Sequence, residues 1–154
     1  MSRSAAVTFK GTPLTLAGEE IKVGQEAPGF TLHYYEGGLK PLSLDDLKGK
    51  PSLISVVPSL DTPVCQTQTK RFHQQLAALN DKVNLLTVSL DLPFAQNRFC
   101  GAEGLQSMRL GSDYQERAFG RAWGMLIEEL KLLARGVFVL DAEGRVVHAE
   151  TVPE

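Results

Sequence analysis

A strand–helix–strand pattern in the middle of the chain most limits the folds that the sequence can adopt. Residues 53–57 and 83–90 are two apolar runs of strand length. Between them, apolar side chains recur at helical spacing over residues 63–79. Two strands joined in this way are predicted to be parallel neighbours with a right-handed crossover. The pattern therefore predicts an α/β sheet.

Predicted β-hairpins flank this unit on both sides. Residues 7–9 and 14–16 enclose one turn-rich tetrapeptide, and residues 136–140 and 145–149 enclose another. The other predicted elements are a strand over residues 30–33, a helical turn at 43–47, a helix that begins near residue 93 and a helix over 113–120. This order predicts a single domain over residues 1–154 with an α/β, thioredoxin-like fold, in which helices flank a central mixed sheet and a β-hairpin opens the chain.

The length and charge of the chain argue against several classes of protein. A chain of 154 residues with ordinary apolar and charged fractions can bury a core as one soluble domain. A net charge of −2 gives no general basic surface, so neither nucleic acid nor a membrane is an expected partner. The sequence lacks an apolar run of the length that a signal peptide or a membrane span needs. The expected location is the cytoplasm, where paired cysteines are more often catalytic, redox-active or buried than permanently bridged.

Cys65 is predicted to lie in the first turn of the central helix. Thr62 is a good N-cap, and Pro63 is a good first helical residue. The unpaired amide hydrogens and the positive end of the helix dipole favour a thiolate there, and such cysteines have pKa values lowered from about 8.5 to roughly 3.5–7.5. The alternative is that Cys65 is a small buried hydrophobe, as free cysteines most often are.

The segment around Cys65 resembles the active site of the peroxiredoxins. Pro58, Thr62 and Cys65 fit the spacing Pro-x-x-x-Thr-x-x-Cys of that family. The full octapeptide, residues 58–65, is similar to that of the thiol peroxidase branch, whose members are atypical two-cysteine enzymes. The resemblance implies that Cys65 is the peroxidatic nucleophile, that Thr62 donates a hydrogen bond in the active site, and that Pro58 shapes the active-site loop.

Two later segments resemble the same branch. Residues 91–105 are similar to the stretch that carries the resolving cysteine, which is Cys100 here. Residues 133–141 are similar to the late strand whose arginine joins the active site, which is Arg135 here. Relatives in this branch continue into one more C-terminal helix, so the resemblance also implies that this chain lacks that helix.

The resemblance implies a complete reaction cycle. Cys65 attacks a hydroperoxide and becomes a sulfenic acid, the sulfenic acid condenses with Cys100 to a disulfide, and thioredoxin reduces the disulfide. Hydrogen peroxide and organic hydroperoxides are the implied substrates, protection against oxidative stress is the implied role, and a homodimer is the implied assembly. The sulfur performs the redox chemistry, so no cofactor is expected.

Alternative interpretations remain for each of these residues. Thr62 could be a plain N-cap, Arg135 a surface cation, and Cys100 a buried thiol. At the level of the whole protein, the alternatives are a redox sensor that passes its oxidised cysteine to a partner and a disulfide oxidoreductase, although the Cys-x-x-Cys pattern of the latter is missing.

Two further ideas concern other side chains. Zinc binding by the cysteines is disfavoured because His33, His73 and His148 show no zinc-like spacing. The aromatic residues Phe94, Phe99 and Trp123 either line an apolar pocket that favours organic hydroperoxides or belong to the core.

Overall fold

The computed structural model describes residues 2–9, 12–60, 67–71, 74, 82–103, 109–115 and 117–152 of the chain. For residues 2–9, 12 and 100–103 it describes the backbone alone. Thr62 and Cys65 therefore lie outside the described residues, and Cys100 is described only as a position in a helix.

The described residues form two sheets. In chain order the strands are β1 Ser2–Phe9, β2 Thr12–Ala17, β3 Thr31–Tyr35, β4 Leu39–Ser43, β5 Ser52–Val56, β6 Asn84–Ser89, β7 Arg109–Ser112, β8 Leu126–Ile127, β9 Leu132–Leu133, β10 Gly136–Leu140 and β11 Val146–Thr151. A small sheet has the order β1-β2-β8-β9, and a large sheet has the order β11-β10-β5-β6-β7-β3-β4. Helical segments include the 3₁₀ turn Leu44–Leu47, α1 Pro93–Glu103 and α2 Ala118–Ala122, and residues 67–71 are also helical.

The large sheet is mixed, as predicted. Its three central strands β5, β6 and β7 are parallel, and β3, β4, β10 and β11 pair antiparallel around them. The parallel pairing of β5 with β6, in which Ser52 lies opposite Asn84, confirms that the two predicted strands are parallel neighbours. Of the helix predicted between them over residues 63–79, the described residues 67–71 and 74 are helical, and the others lie outside the described residues. The two predicted hairpins are present as the antiparallel pairs β1–β2 and β10–β11.

The start of the helix predicted over residues 113–120 is wrong. Residues 109–112 form strand β7, and the helix α2 starts only at Ala118. Asp113 extends the edge of the sheet, since its backbone N–H donates to the carbonyl of Ser89 at 3.0 Å. Its carboxylate accepts hydrogen bonds from the backbone N–H groups of Phe119 (3.1 Å) and Gly120 (2.8 Å). Asp113 therefore caps the N–H groups at the start of α2 although it lies outside that helix. The residues next to Asp113 in the sequence do not indicate this contact.

The main core is built around a group of aromatic rings. Trp123 is 1% exposed and stacks on Phe119, with ring centroids 4.9 Å apart and an interplanar angle of 19°. Its edge contacts Phe138 at a centroid distance of 5.1 Å. Phe94 is instead 55% exposed, and Phe99 packs against a smaller core cluster. Trp123 is therefore a core residue, and these three predicted pocket residues do not share one pocket.

In the described part of the chain, no helix has both the length and the apolar character needed to cross a membrane.

Candidate active site

One edge of the large sheet holds Pro58 and Arg135, the two predicted active-site residues whose side chains are described. The carboxyl ends of the parallel strands β5, β6 and β7 meet at this edge. Strand β10 runs antiparallel to β5, with Gly136 opposite Val56, so the amino end of β10 arrives at the same edge. The sheet topology thus brings Pro58, which follows β5, and Arg135, which precedes β10, to neighbouring strand ends.

The loop that leads towards Cys65 is held in place before the described residues end. Val57 continues the sheet by donating its N–H to the carbonyl of Val88 at 3.0 Å. Pro58 is half-buried at a bend in the chain, and Leu60 is 3% exposed. The Ser59 hydroxyl and the Leu60 backbone N–H both donate to the carboxylate of Asp91, at 2.8 and 2.7 Å. The start of the active-site loop is therefore fixed by a residue that follows β6.

Arg135 is half-buried and is held from both sides. The residues before it, Leu133 and Ala134, are 0% and 2% exposed, and its own carbonyl accepts a hydrogen bond from the N–H of Val152 at 2.9 Å. Its guanidinium Nη1 donates to Oε1 of Gln68 at 3.2 Å. The alternative that Arg135 is simply a surface cation is inconsistent with this half-buried, hydrogen-bonded position.

Gln68 is a site residue that sequence reasoning missed. It lies on the described helical segment over residues 67–71, three positions after Cys65 in the sequence. In the predicted helix, residues three apart share one face. Its Nε2 donates to the hydroxyl of Ser55 at 2.6 Å, and Ser55 is 1% exposed in β5. Because the amide donates to Ser55 and accepts from Arg135, both of its ends are fixed. The helical spacing from Cys65 is the only sequence signal that could have found Gln68.

A polar cavity of about 300 Å³ lies beside the end of β7. The described residues that line it are Thr31, His33, Ser112, Asp113 and Gln115. Burial raises the pKa of Asp113 above its usual 3.8, and the N–H groups of Gly120 and Phe119 oppose that effect. The sequence assigned none of these five residues to the active site.

Metal chemistry finds no support among the described residues, where no three His, Cys, Asp or Glu side chains are grouped as metal ligands.

Comparisons with known proteins show the family to which the chain belongs. A family model described as Redoxin matches residues 22–154. The thiol peroxidase of Bacillus subtilis strain 168 is 53% identical over 150 residues, which are 97% of this chain and 88% of that protein. The thiol peroxidase of Halalkalibacterium halodurans is also 53% identical over 150 residues, which are 97% of this chain and 89% of that protein.

A solved structure extends the comparison to three dimensions. The crystal structure of a peroxiredoxin-like protein from Aquifex aeolicus superposes with a TM-score of 0.86 at 40% identity, over 98% of this chain and 88% of that one. The predicted thioredoxin-like peroxiredoxin fold is thereby confirmed. With a family model over most of its length and relatives identical at more than half of the aligned positions, the chain belongs to the redoxin family and, within it, to the thiol peroxidases, enzymes that reduce peroxides through a cysteine thiol.

Proposed function

We propose that Cys65 is the peroxidatic cysteine of this thiol peroxidase, that Thr62 and Arg135 assist it, and that Cys100 resolves its oxidised form. The observation that supports this best is the hydrogen bond of Arg135 to Gln68. It joins the arginine to a helical residue that lies only three positions after Cys65 in the sequence. A guanidinium held there is suited to stabilise a thiolate and to bind peroxide oxygens, because it is always charged and carries five donors.

The first step is attack of the Cys65 thiolate on one oxygen of a hydroperoxide. An S–O bond forms, the O–O bond breaks, and the leaving oxygen takes up a proton to become water or an alcohol. The cysteine is oxidised to a sulfenic acid while the peroxide is reduced. Fixed donors that meet the negative charge on the leaving oxygen lower the barrier, and Thr62 and Arg135 are the proposed donors.

The second step joins the two cysteines. The thiol of Cys100 attacks the Cys65 sulfenic acid, an S–S bond forms, and water leaves. A dithiol protein of the thioredoxin type then reduces the disulfide by two exchange reactions and becomes oxidised itself. Pro58, which is half-buried next to the strand end, is proposed to shape the loop without taking part in the chemistry.

The assembly and the location of the protein are part of the same proposal. We propose a homodimer in the cytoplasm, in keeping with the resemblance to the thiol peroxidases. Light scattering of the reduced protein measures its mass in solution, and a monomeric mass would contradict the dimer.

The deciding experiment compares wild type, Cys65→Ser and Cys100→Ser in peroxide consumption driven by thioredoxin and its reductase. Hydrogen peroxide and cumene hydroperoxide are tested separately. Loss of turnover in Cys65→Ser, with curtailed turnover in Cys100→Ser, is the expected result. Intact mass after peroxide treatment is expected to show the loss of two hydrogens in wild type and one added oxygen in Cys100→Ser.

Three results would contradict the proposal. Full turnover in Cys65→Ser would remove Cys65 from the mechanism. A wild-type protein that keeps one added oxygen, or that forms linked dimers, would remove the internal disulfide. A wild type that is oxidised once by peroxide but does not turn over with thioredoxin would point to a redox sensor.

A further inference from the structure

The carboxylate of Asp91 connects the loop that leads towards Cys65 with the end of β6, from which the chain enters the Cys100 helix. Asp91 follows β6 and comes two residues before Pro93, where the Cys100 helix α1 begins. Its two oxygens accept hydrogen bonds from Ser59 and Leu60 in the loop that leads to Cys65. Asp91 thus contacts the Cys65 loop directly and is part of the chain that enters the Cys100 helix.

The hydrogen bonds of Asp91 leave little freedom for the carboxylate. Oδ1 accepts from the Ser59 hydroxyl at 2.8 Å, and Oδ2 accepts from both the Leu60 N–H at 2.7 Å and the Ser89 hydroxyl at 2.8 Å. Ser89 in turn accepts the backbone N–H of Asp91 at 3.2 Å. Three donors on one carboxylate hold it in a single orientation. The geometry therefore fits an Asp91 side chain that fixes the loop.

The beginning of α1 is attached to the same network. Gln96 is 1% exposed, and its Nε2 donates to the hydroxyl of Ser89 and to the carbonyl of Gly111, both at 3.0 Å. The Ser112 hydroxyl donates to the backbone carbonyl of Asp91 at 2.5 Å. Beyond Gln96 the side chains of Asn97 and Arg98 are exposed. The first turn of α1 is therefore fixed to the sheet by hydrogen bonds, whereas the turn that leads to Cys100 has two exposed side chains and is held by the packing of Phe99 against the smaller core cluster.

We propose that Asp91 is a positioning residue that holds the Cys65 loop and the Cys100 helix in the arrangement that reacts with peroxide. This inference rests on the proposed function of the two cysteines. A disulfide needs the two Cα atoms within about 7 Å, so disulfide formation selects the arrangement that brings them together. If that arrangement differs from the peroxide-reactive one, an interaction that stabilises the reactive arrangement slows the rearrangement. Asp91 then favours the first chemical step and opposes the second.

The test measures the two steps separately in Asp91→Asn. Oxidation of Cys65 is followed in a Cys100→Ser background, by trapping the sulfenic acid with a dimedone-type probe after rapid mixing with hydrogen peroxide. Disulfide formation is followed by mass after acid quench in the protein that retains Cys100. An amide cannot accept all three hydrogen bonds, so the rate constant of Cys65 oxidation should fall about tenfold, as expected for the loss of one hydrogen bond to a charged group. The rate constant of disulfide formation should stay equal or rise.

Two matched variants separate positioning from general loss of stability. Asp141→Asn removes another carboxylate that holds a turn, since Asp141 accepts the N–H groups of Glu143 (3.0 Å) and Arg145 (2.9 Å). This turn follows the end of β10 opposite to Arg135. It should leave both rate constants unchanged. Ser59→Ala removes a single bond to Asp91 and should produce a smaller change in the same two directions, which keeps the test available if Asp91→Asn folds poorly.

The outcomes are distinct. Equal rates of Cys65 oxidation with and without Asp91→Asn or Ser59→Ala would overturn the inference. So would a variant in which Cys65 oxidation and disulfide formation both become slower. A Cys100→Ser protein that forms no sulfenic acid at Cys65 would overturn the proposed function and this inference with it. Slower oxidation with unslowed disulfide formation supports it.

Discussion

At the scale of single residues, the orientation of Arg135 is the feature with the most direct consequence for chemistry. A guanidinium is planar, so the direction of one hydrogen bond fixes the direction of the others. Gln68 accepts from Nη1 of Arg135 and donates to Ser55, which is buried in β5. The strand thus orients the glutamine, and the glutamine orients the arginine.

Gln68→Ala should lower the rate constant of Cys65 oxidation by about tenfold, because the arginine loses the acceptor that aligns it, and a misaligned donor stabilises the transition state less well. The rate is measured by rapid mixing with hydrogen peroxide. Gln74→Ala, at an exposed glutamine in the same helical region, is the matched control and should react like wild type. Gln68→Glu keeps an acceptor for the guanidinium and should retain more activity than the alanine variant. Equal rates in Gln68→Ala and Gln74→Ala would show that Gln68 does not position the arginine.

Only part of this site could be predicted from the sequence. The spacing of Pro58, Thr62 and Cys65 is local, and a local motif can be read directly. The contacts of Gln68 and Asp91 join positions 67 and 31 residues apart, so they exist only once the sheet has formed. The pairing of Cys65 with Cys100 stays a prediction, because both side chains lie outside the described residues.

At the scale of elements, strand β10 decides where Arg135 lies. Gly136 is its first residue and is paired with Val56 on one side and Thr151 on the other. A Cβ atom at Gly136 would meet Cε of Met125 at 2.6 Å and the backbone oxygen of Glu150 at 2.9 Å. The methionine end could move, but the backbone of β11 has little freedom to do so. Glycine at this position therefore allows the close packing that sets the start of the strand.

Gly136→Ala should destabilise the protein by about 1–3 kcal/mol, the usual cost of overpacking a well-packed site. It should also slow peroxide reduction. The added methyl group would displace the start of β10, and Arg135 is the residue directly before that strand. Urea denaturation gives the free energy of unfolding, and rapid mixing with peroxide gives the rate. Gly29→Ala is the matched control, since a Cβ there meets nothing within 4 Å. A Gly136→Ala protein as stable and as fast as the Gly29→Ala protein would contradict the argument.

Elements were predictable where their sequence pattern is long. The parallel pair β5–β6 and the hairpin β10–β11 follow from apolar runs bounded by turn residues. Strand β7 was missed because Arg109–Ser112 has four residues and only one large apolar side chain, Leu110. Its strand conformation depends on pairing with β6 and β3, which no local pattern indicates. The strands β8 and β9 were also missed, because a run of two residues is too short to predict a strand.

At the scale of the whole molecule, a buried carboxyl group makes stability depend on pH. Asp113 is 3% exposed, and burial raises its pKa above the usual 3.8. The folded protein therefore binds a proton at Asp113 more tightly than the unfolded chain does. The stabilisation linked to that proton is complete below the unfolded pKa of 3.8 and is lost as the pH rises through the raised folded value.

Asp113→Asn removes this dependence, because an amide does not titrate in the same range. The variant also loses one acceptor for the N–H groups of Phe119 and Gly120, a loss that should be almost independent of pH. The melting temperature of wild type minus that of Asp113→Asn should therefore increase as the pH falls from about 7 towards about 4. Thermal unfolding followed by circular dichroism at several pH values measures this difference. A difference that stays constant, or one that grows as the pH rises, would show that Asp113 does not retain its proton more tightly in the folded state, and an NMR titration of the Asp113 carboxyl would then locate its pKa directly.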